Sequence, residues 1–314
     1  AKVTRLHGWG FREIRVDRPE IFHSGQGVTL RDDTTYGFDT TYATLLRREG
    51  ADWIIDTPLN HDIVAGDKHG RMQTFFPMLY VREVEDVAIE DLCLDGNLAG
   101  NPWHPEDWYT GAVLAMRATR LRILRLHIRE YNAEGISFQG CRDVEVGHCT
   151  VERCGGSGIH PGGGTTGFHV HHCVSRNNRW FGFMYCLRVT GGLLEDTVLE
   201  NNGWDGLTLG SQNDGNLNRR LTIRGNGRCG IVIPKRLHCD SSHRVRFEDC
   251  LVEDNCRDQD GAAEIDLQGE TEGTQLIGCR IHAAAGKTAL RIGPAVSKLV
   301  LENNDFQGEV QDLR

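Results

Sequence analysis

A central stretch of the chain holds most of the side chains able to move a proton or hold an anion: His160, Tyr185, Asp205, Asp214, Lys235 and Arg236. His160 or Tyr185 would serve as a base, with Lys235 and Arg236 neutralising a carboxylate and the enolate formed when its α-proton leaves. Asp205 would orient that base or a ligand hydroxyl. Taken instead as a carboxylate couple, Asp205 with Asp214 or Asp266 has the residue types of hydrolytic acid–base chemistry. Trp180 and Trp204 are 24 positions apart and Arg228 lies 24 further on, a spacing that would stack two indoles under a guanidinium. Trp103, His104 and Trp108 stand in one polar insertion of the kind that walls a binding cleft, and His238 and Asp266 complete the candidate binding set. Each of these residues also has a plainer reading, as a solvated rim or a turn-stabilising stack, and the cluster is more telling than its members.

His148, His172 and Asp196 repeat the same spacing and would offer two imidazoles and a carboxylate to a divalent cation. The chemistry above requires no cofactor, so a divalent cation is the one addition the sequence accommodates. His169 and His171 beside them make a histidine-rich face that needs no ligand.

Spacings of 24 bring side chains together only if the chain returns on itself once per 24 residues, and a repeat of that length is present. Segments such as Val144–Val151 and Phe168–Ser175 superpose on an anchor position occupied by Leu92, Leu126, Cys149, Cys173, Thr197, Leu221, Cys250, Cys279 and Asn304. Steps of 23 or 24 recur from Leu126 to Leu221. Each unit reads as two short alternating strands, a turn, and a third strand after glycine, with Ile136, Ile159, Phe183, Leu207 and Ile231 inside and the next residue outside. That outward column runs Ser137, His160, Met184, Thr208, Val232, Asp266, Arg291, and just before the glycines run Glu134, Ser157, Phe181, Asp205 and Cys229. Asn97, Asn178, Asn202, Asn226 and Asn255 recur at a turn, where tolerance of left-handed backbone and bonds to neighbouring backbone would select a stacked Asn column.

The composition agrees: 38 glycines against 8 prolines fit many tight turns between short strands. A net charge of −9 argues against nucleic acid as a partner. No run of about 18 apolar residues offers a membrane span. Eleven cysteines, an odd number without paired zinc spacing, read as reduced core thiols. No leader is visible at residue 1, so the compartment is open: secreted or periplasmic if a leader was removed, otherwise cytoplasmic. One domain over 1–314 is expected, with a cap and irregular first coils over 1–80 and regular coils over 81–310.

These features resemble the right-handed parallel β-helix of the pectate-lyase-like families. The fold class implied is all-β, a single-stranded right-handed parallel β-helix of about ten or more coils with an N-terminal cap. Within that group the chain looks most similar to alginate C5-epimerases, on Leu94-Asp95-Gly96-Asn97 and on Gly158-Ile159-His160-Pro161-Gly162. In the second motif the family has Asp and His where this sequence has His160 and Gly162. The resemblance implies a carbohydrate-active enzyme of lyase or epimerase type whose partner is an acidic, uronate-containing polysaccharide or oligosaccharide, with assembly into homo-oligomers open to it. A glycoside hydrolase, and a non-catalytic glycan-binding or structural solenoid of tailspike type, are the alternatives.

Overall fold

The computed structural model describes residues 1–35, 39–101, 110–259 and 261–314. Two compact units divide the chain, Ala1–Phe76 and Pro77–Arg314. The first differs from the irregular coils expected of it. It is an antiparallel sheet in the order Glu13–Arg15, Asp52–Ile55, Thr41–Glu49, Gly27–Arg31, Arg71–Gln73. Gly50, at φ 63°, closes the turn between Glu49 and Asp52 and sends the chain straight back, whereas a parallel partner would need a crossover. Ile14, Leu30, Leu45, Ile55, Ile63 and Met72 fill its core.

The second unit is a solenoid. Each turn contributes one strand to each of three parallel sheets, of nine, nine and ten strands. One turn reads Glu145–Gly147, Thr150–Glu152, Ile159–Pro161, and the next His169–His171, Val174–Arg176, Phe183–Leu187. Strand pairs lie in register, with Val146 opposite Val170 and Val151 opposite Ser175. Inward positions are β-branched or large and apolar, among them Ile123, Ile136, Val146, Val151, Ile159, Val170, Phe183, Leu207 and Ile231, all at 0% exposure. Each such burial contributes about 1.5–3 kcal/mol, and period-2 alternation sends the neighbours outward.

The corners explain the polar columns. A bend leaves a backbone N–H without a ladder partner, and a side chain of the next coil accepts it: Cys149 Sγ takes Leu126 N–H, Thr197 Oγ1 takes Cys173 N–H and Asn304 Oδ1 takes Cys279 N–H. The asparagine ladder does the same. Asn178 donates from Nδ2 to Asn202 Oδ1 at 3.0 Å, Asn202 to Asn226 at 3.0 Å, Asn226 to Asn255 at 2.7 Å, and Asn255 to the inward carboxylate of Glu264 at 2.6 Å. The left-handed backbone belongs to the residues just before the ladder, Asn177, Asn201, Gly225 and Asp254. Asn97, though left-handed at φ 49°, is exposed and outside the ladder. Gly206, opening a third strand, lies so close to the ladder that a Cβ there would come within 2.8 Å of Asn226 Nδ2 and of Gly230 O. All eleven cysteines are free thiols, and only Cys93 and Cys239 are fully exposed.

Candidate functional site

The outward face of the third sheet carries the column expected from the repeat. Ser137 pairs with His160, Met184 with Thr208, Thr208 with Val232, Val232 with Asp266, and Asp266 with Arg291. At one end Glu134 and His160 are both buried, and the imidazole Nδ1 donates to the two carboxylate oxygens at 2.7 and 2.8 Å. Burial by itself would push the imidazole pKa down, but the Glu134 carboxylate, with the Cys186 thiol beside the ring, raises it to about 10. His160 is therefore an imidazolium at neutral pH. Its Nε2 is buried without a nitrogen or oxygen partner, as is the Ser157 hydroxyl. Gln139 donates to Ser137 Oγ at 2.8 Å and receives Gly163 N–H.

Toward the other end, Asp205 is 7% exposed, and burial raises its carboxyl to about 6, opposed by Cys229 N–H and Arg228 and assisted by Asp266. Asp266 is held by Arg291 at 3.0 Å and receives Gln268 Nε2 at 2.5 Å. Two clefts border this end of the sheet. One, of about 540 Å³, is lined by Gly203, Trp204, Arg228, Asp258 and Gln259, where the chain enters the third strand. The other, of about 430 Å³, lies where the chain leaves it, between Lys235, Arg236, Leu237 and the segments Gln268–Glu270 and Pro294–Ala295.

The right-handed β-helix family model, described as "Right handed beta helix region", matches residues 110–261. The A-module of Azotobacter vinelandii mannuronan C-5 epimerase AlgE4 superposes with a TM-score of 0.51 at 17% identity, over 74% of this chain and 72% of that one. PfbA, a surface adhesin of Streptococcus pneumoniae, gives 0.51 at 9% identity, over 71% of this chain and 69% of that one. No curated protein matches the sequence. The second unit, Pro77–Arg314, has the fold of a right-handed parallel β-helix. An epimerase module and an adhesin on the same scaffold mean that these likenesses carry the fold alone.

The β-helix distributes the expected site residues over three places. Asp205, Arg228, Trp204 and Asp266 share the end just described. Asp214, Lys235, Arg236 and His238 do not converge with Asp205. They follow their third strands, whereas Asp205 precedes its own, and the intervening Leu207–Ser211 strand spans roughly 17 Å. Asp214 pairs there with Arg244, and His238 with Glu272 at 3.3 Å. Tyr185 is a correction: alternation turns it inward, fully buried, with its hydroxyl donating to Asn218 at 2.8 Å, so it cannot reach a ligand. His160, expected as a base, is 2% exposed and donates Nδ1 to Glu134, a pairing that favours its charged form. Trp180 and Trp204 stack at 5.4 Å and Arg228 sits 4.3 Å from the Trp204 centroid, so coil neighbours occupy the indole faces meant for a ligand and leave edges and the guanidinium. Trp103, His104 and Trp108 lie outside the described residues. In the histidine column, Asp196 is claimed by Arg220 through two bonds of 2.8 and 2.7 Å, and His171 stands with His148 and His172 in its place. Glu134 stands in the column before the glycines with no role expected of it, and Cys186 lies outside the expected set. An acid in the otherwise shielded column before the glycines, one coil from an outward histidine, is the signal for the first. Period-2 alternation past Met184 is the signal for the second.

Proposed function

We propose that the β-helix is a carbohydrate-active protein that takes an acidic, uronate-bearing glycan across the outward face of its third sheet and moves a proton of the bound sugar. The observation that carries this reading is Asp205, a shielded carboxyl lifted to about 6 beside Arg228 and within electrostatic reach of Asp266. Such a group exchanges a proton near neutral pH, which a carboxylate at its ordinary value does poorly. Arg228 offers its charge to a sugar carboxylate, and Lys235 and Arg236 border the second cleft with theirs. In a lyase or epimerase step Asp205 would take the proton α to that carboxylate while the guanidinium stabilises the enolate. The AlgE4 module, a mannuronan epimerase by name, supports the choice of a uronate polymer as first substrate.

A second reading has its own observation. Asp205, its proton affinity raised by burial, lies within electrostatic reach of Asp266, and Asp266 is ion-paired to Arg291, a set of groups that suits a hydrolytic acid and its partner. Incubation with alginate and with polygalacturonate separates the outcomes. Ultraviolet absorbance of an unsaturated product marks elimination, changed sugar composition marks epimerisation, and reducing ends alone mark hydrolysis. Asp205→Asn should lower any of these rates about 10²–10⁴-fold. Binding without conversion on every substrate would make the face a recognition surface and remove Asp205 from chemistry.

A further inference from the structure

On another flank of the solenoid, away from the third sheet, three histidines meet. His148 and His172 occupy the same left-handed corner of successive coils, at φ 55° and 51°, and their rings stack at 4.8 Å. His171, the last residue of its strand, brings Nδ1 to 3.0 Å from His172 Nδ1. One ring nitrogen from each of the three lies within 4.8 Å of the other two. Two ring nitrogens facing each other at hydrogen-bond distance share a single proton at best, and a cation between them would satisfy both lone pairs. The far nitrogen of His171, Nε2, is held by Glu145 Oε1 at 3.2 Å, which leaves Nδ1 as the free ligand atom and fixes the ring plane. The ring has space only because residue 147 is glycine: a Cβ there would lie 2.6 Å from His171 Cε1 and 2.7 Å from Nε2.

We propose that His148, His171 and His172 form a three-imidazole site for a borderline divalent transition-metal ion such as Zn²⁺, oriented by Glu145 and shaped by Gly147. Three neutral imidazoles suit zinc, cobalt, nickel or copper and disfavour the oxygen-seeking magnesium and calcium. Three protein ligands leave a coordination position open to water or to an anionic group. The site stands apart from Asp205 and does not depend on the glycan reading. Asp196, the carboxylate of the same column, is excluded because Arg220 holds both its oxygens.

Calorimetric titration of the full chain with ZnCl₂ alone, and with CoCl₂ followed by visible absorption, tests the assignment. One ion per chain and the visible bands of tetrahedral Co²⁺ are expected. His171→Ala and His172→Gln should each weaken Zn²⁺ binding by at least about 100-fold, and Glu145→Gln by on the order of 10-fold. Gly147→Ala, which displaces the ring while keeping every ligand, should weaken it comparably. Asp196→Asn and His238→Ala should bind as the parent does. Melting midpoints of the metal-free variants show that each is folded. Absence of saturable binding in the parent, or binding unchanged in both His171→Ala and His172→Gln, overturns the site.

Discussion

The Glu134–His160 pair is the residue whose chemistry depends most on where the solenoid puts it. Removing one member leaves a buried charge uncompensated, so Glu134→Gln should cost about 3–5 kcal/mol in urea unfolding. The imidazole pKa is raised from 6.5 to about 10, so its stabilising effect is complete below pH 6.5 and disappears as pH climbs through about 10. The stability difference between the parent and His160→Gln, measured from pH 6 to 10.5, should shrink across that window, and a difference that stays constant would exclude the charged pair. Asp205 carries the opposite lesson. Its raised value means that stability falls as pH rises from 3.8, where the unfolded chain ionises, to about 6, and that the full cost is present above that. Asp205→Asn keeps the acceptor for Cys229 N–H, at 3.0 Å in the parent, and should be more stable at pH 8 by up to about 3 kcal/mol while losing activity. A stabilised, inactive variant separates chemistry from architecture in one measurement. Asp205 was legible in the sequence as an acid beside an outward column. Its shifted proton affinity was not, because it comes from burial and from Asp266, set against Arg228, and only coil stacking brings these near.

At the scale of the element, the corner columns are where sequence and structure agree most closely and for partly different reasons. The sequence offers two reasons for the repeated asparagine, left-handed backbone and bonds to neighbouring backbone; the conformation of the ladder residues is ordinary, and the amide carries the column by accepting a stranded N–H and donating to the next coil. Asn202→Ala should therefore leave Asn178 N–H without its acceptor, while Nδ2 keeps Val151 O and Ser175 Oγ, at a cost of about 1–3 kcal/mol. Asn201→Gly, one position earlier at φ 55°, should be neutral or slightly stabilising. Thermal melts of the two variants side by side distinguish an amide ladder from a backbone requirement. The strands themselves were readable because alternation is a property of single residues. Antiparallel return in the first unit was not, because Val28, Leu30 and Leu45 alternate whichever way their partners run.

For the solenoid as a whole, each coil contacts mainly its neighbours, so damage should scale with register rather than with distance from a centre. One alanine inserted after Leu199, inside the Val198–Glu200 strand, would carry Asn202 out of register with Asn178 and Asn226 and should lower the melting midpoint sharply. The same insertion after Lys235, in the exposed segment that follows Ile231–Ile233, should leave the midpoint nearly unchanged. The repeat also made the outward column legible in advance, from Ser137 to Arg291, while the loops that divide its two edges were not, since nothing in a period states how far apart a strand holds its ends. That column has a further consequence. Its backbone repeats from coil to coil but its side chains do not, running from the imidazolium of His160 through Met184 and Val232 to Asp266 and Arg291. A polymer laid along it meets a different neighbour at every rise, so sliding by one coil changes the fit. On the proposed glycan reading the face would be a ruler with unequal marks that tells one direction of a chain from the other, and a duplicated coil would lengthen the ruler without redrawing the marks on either side.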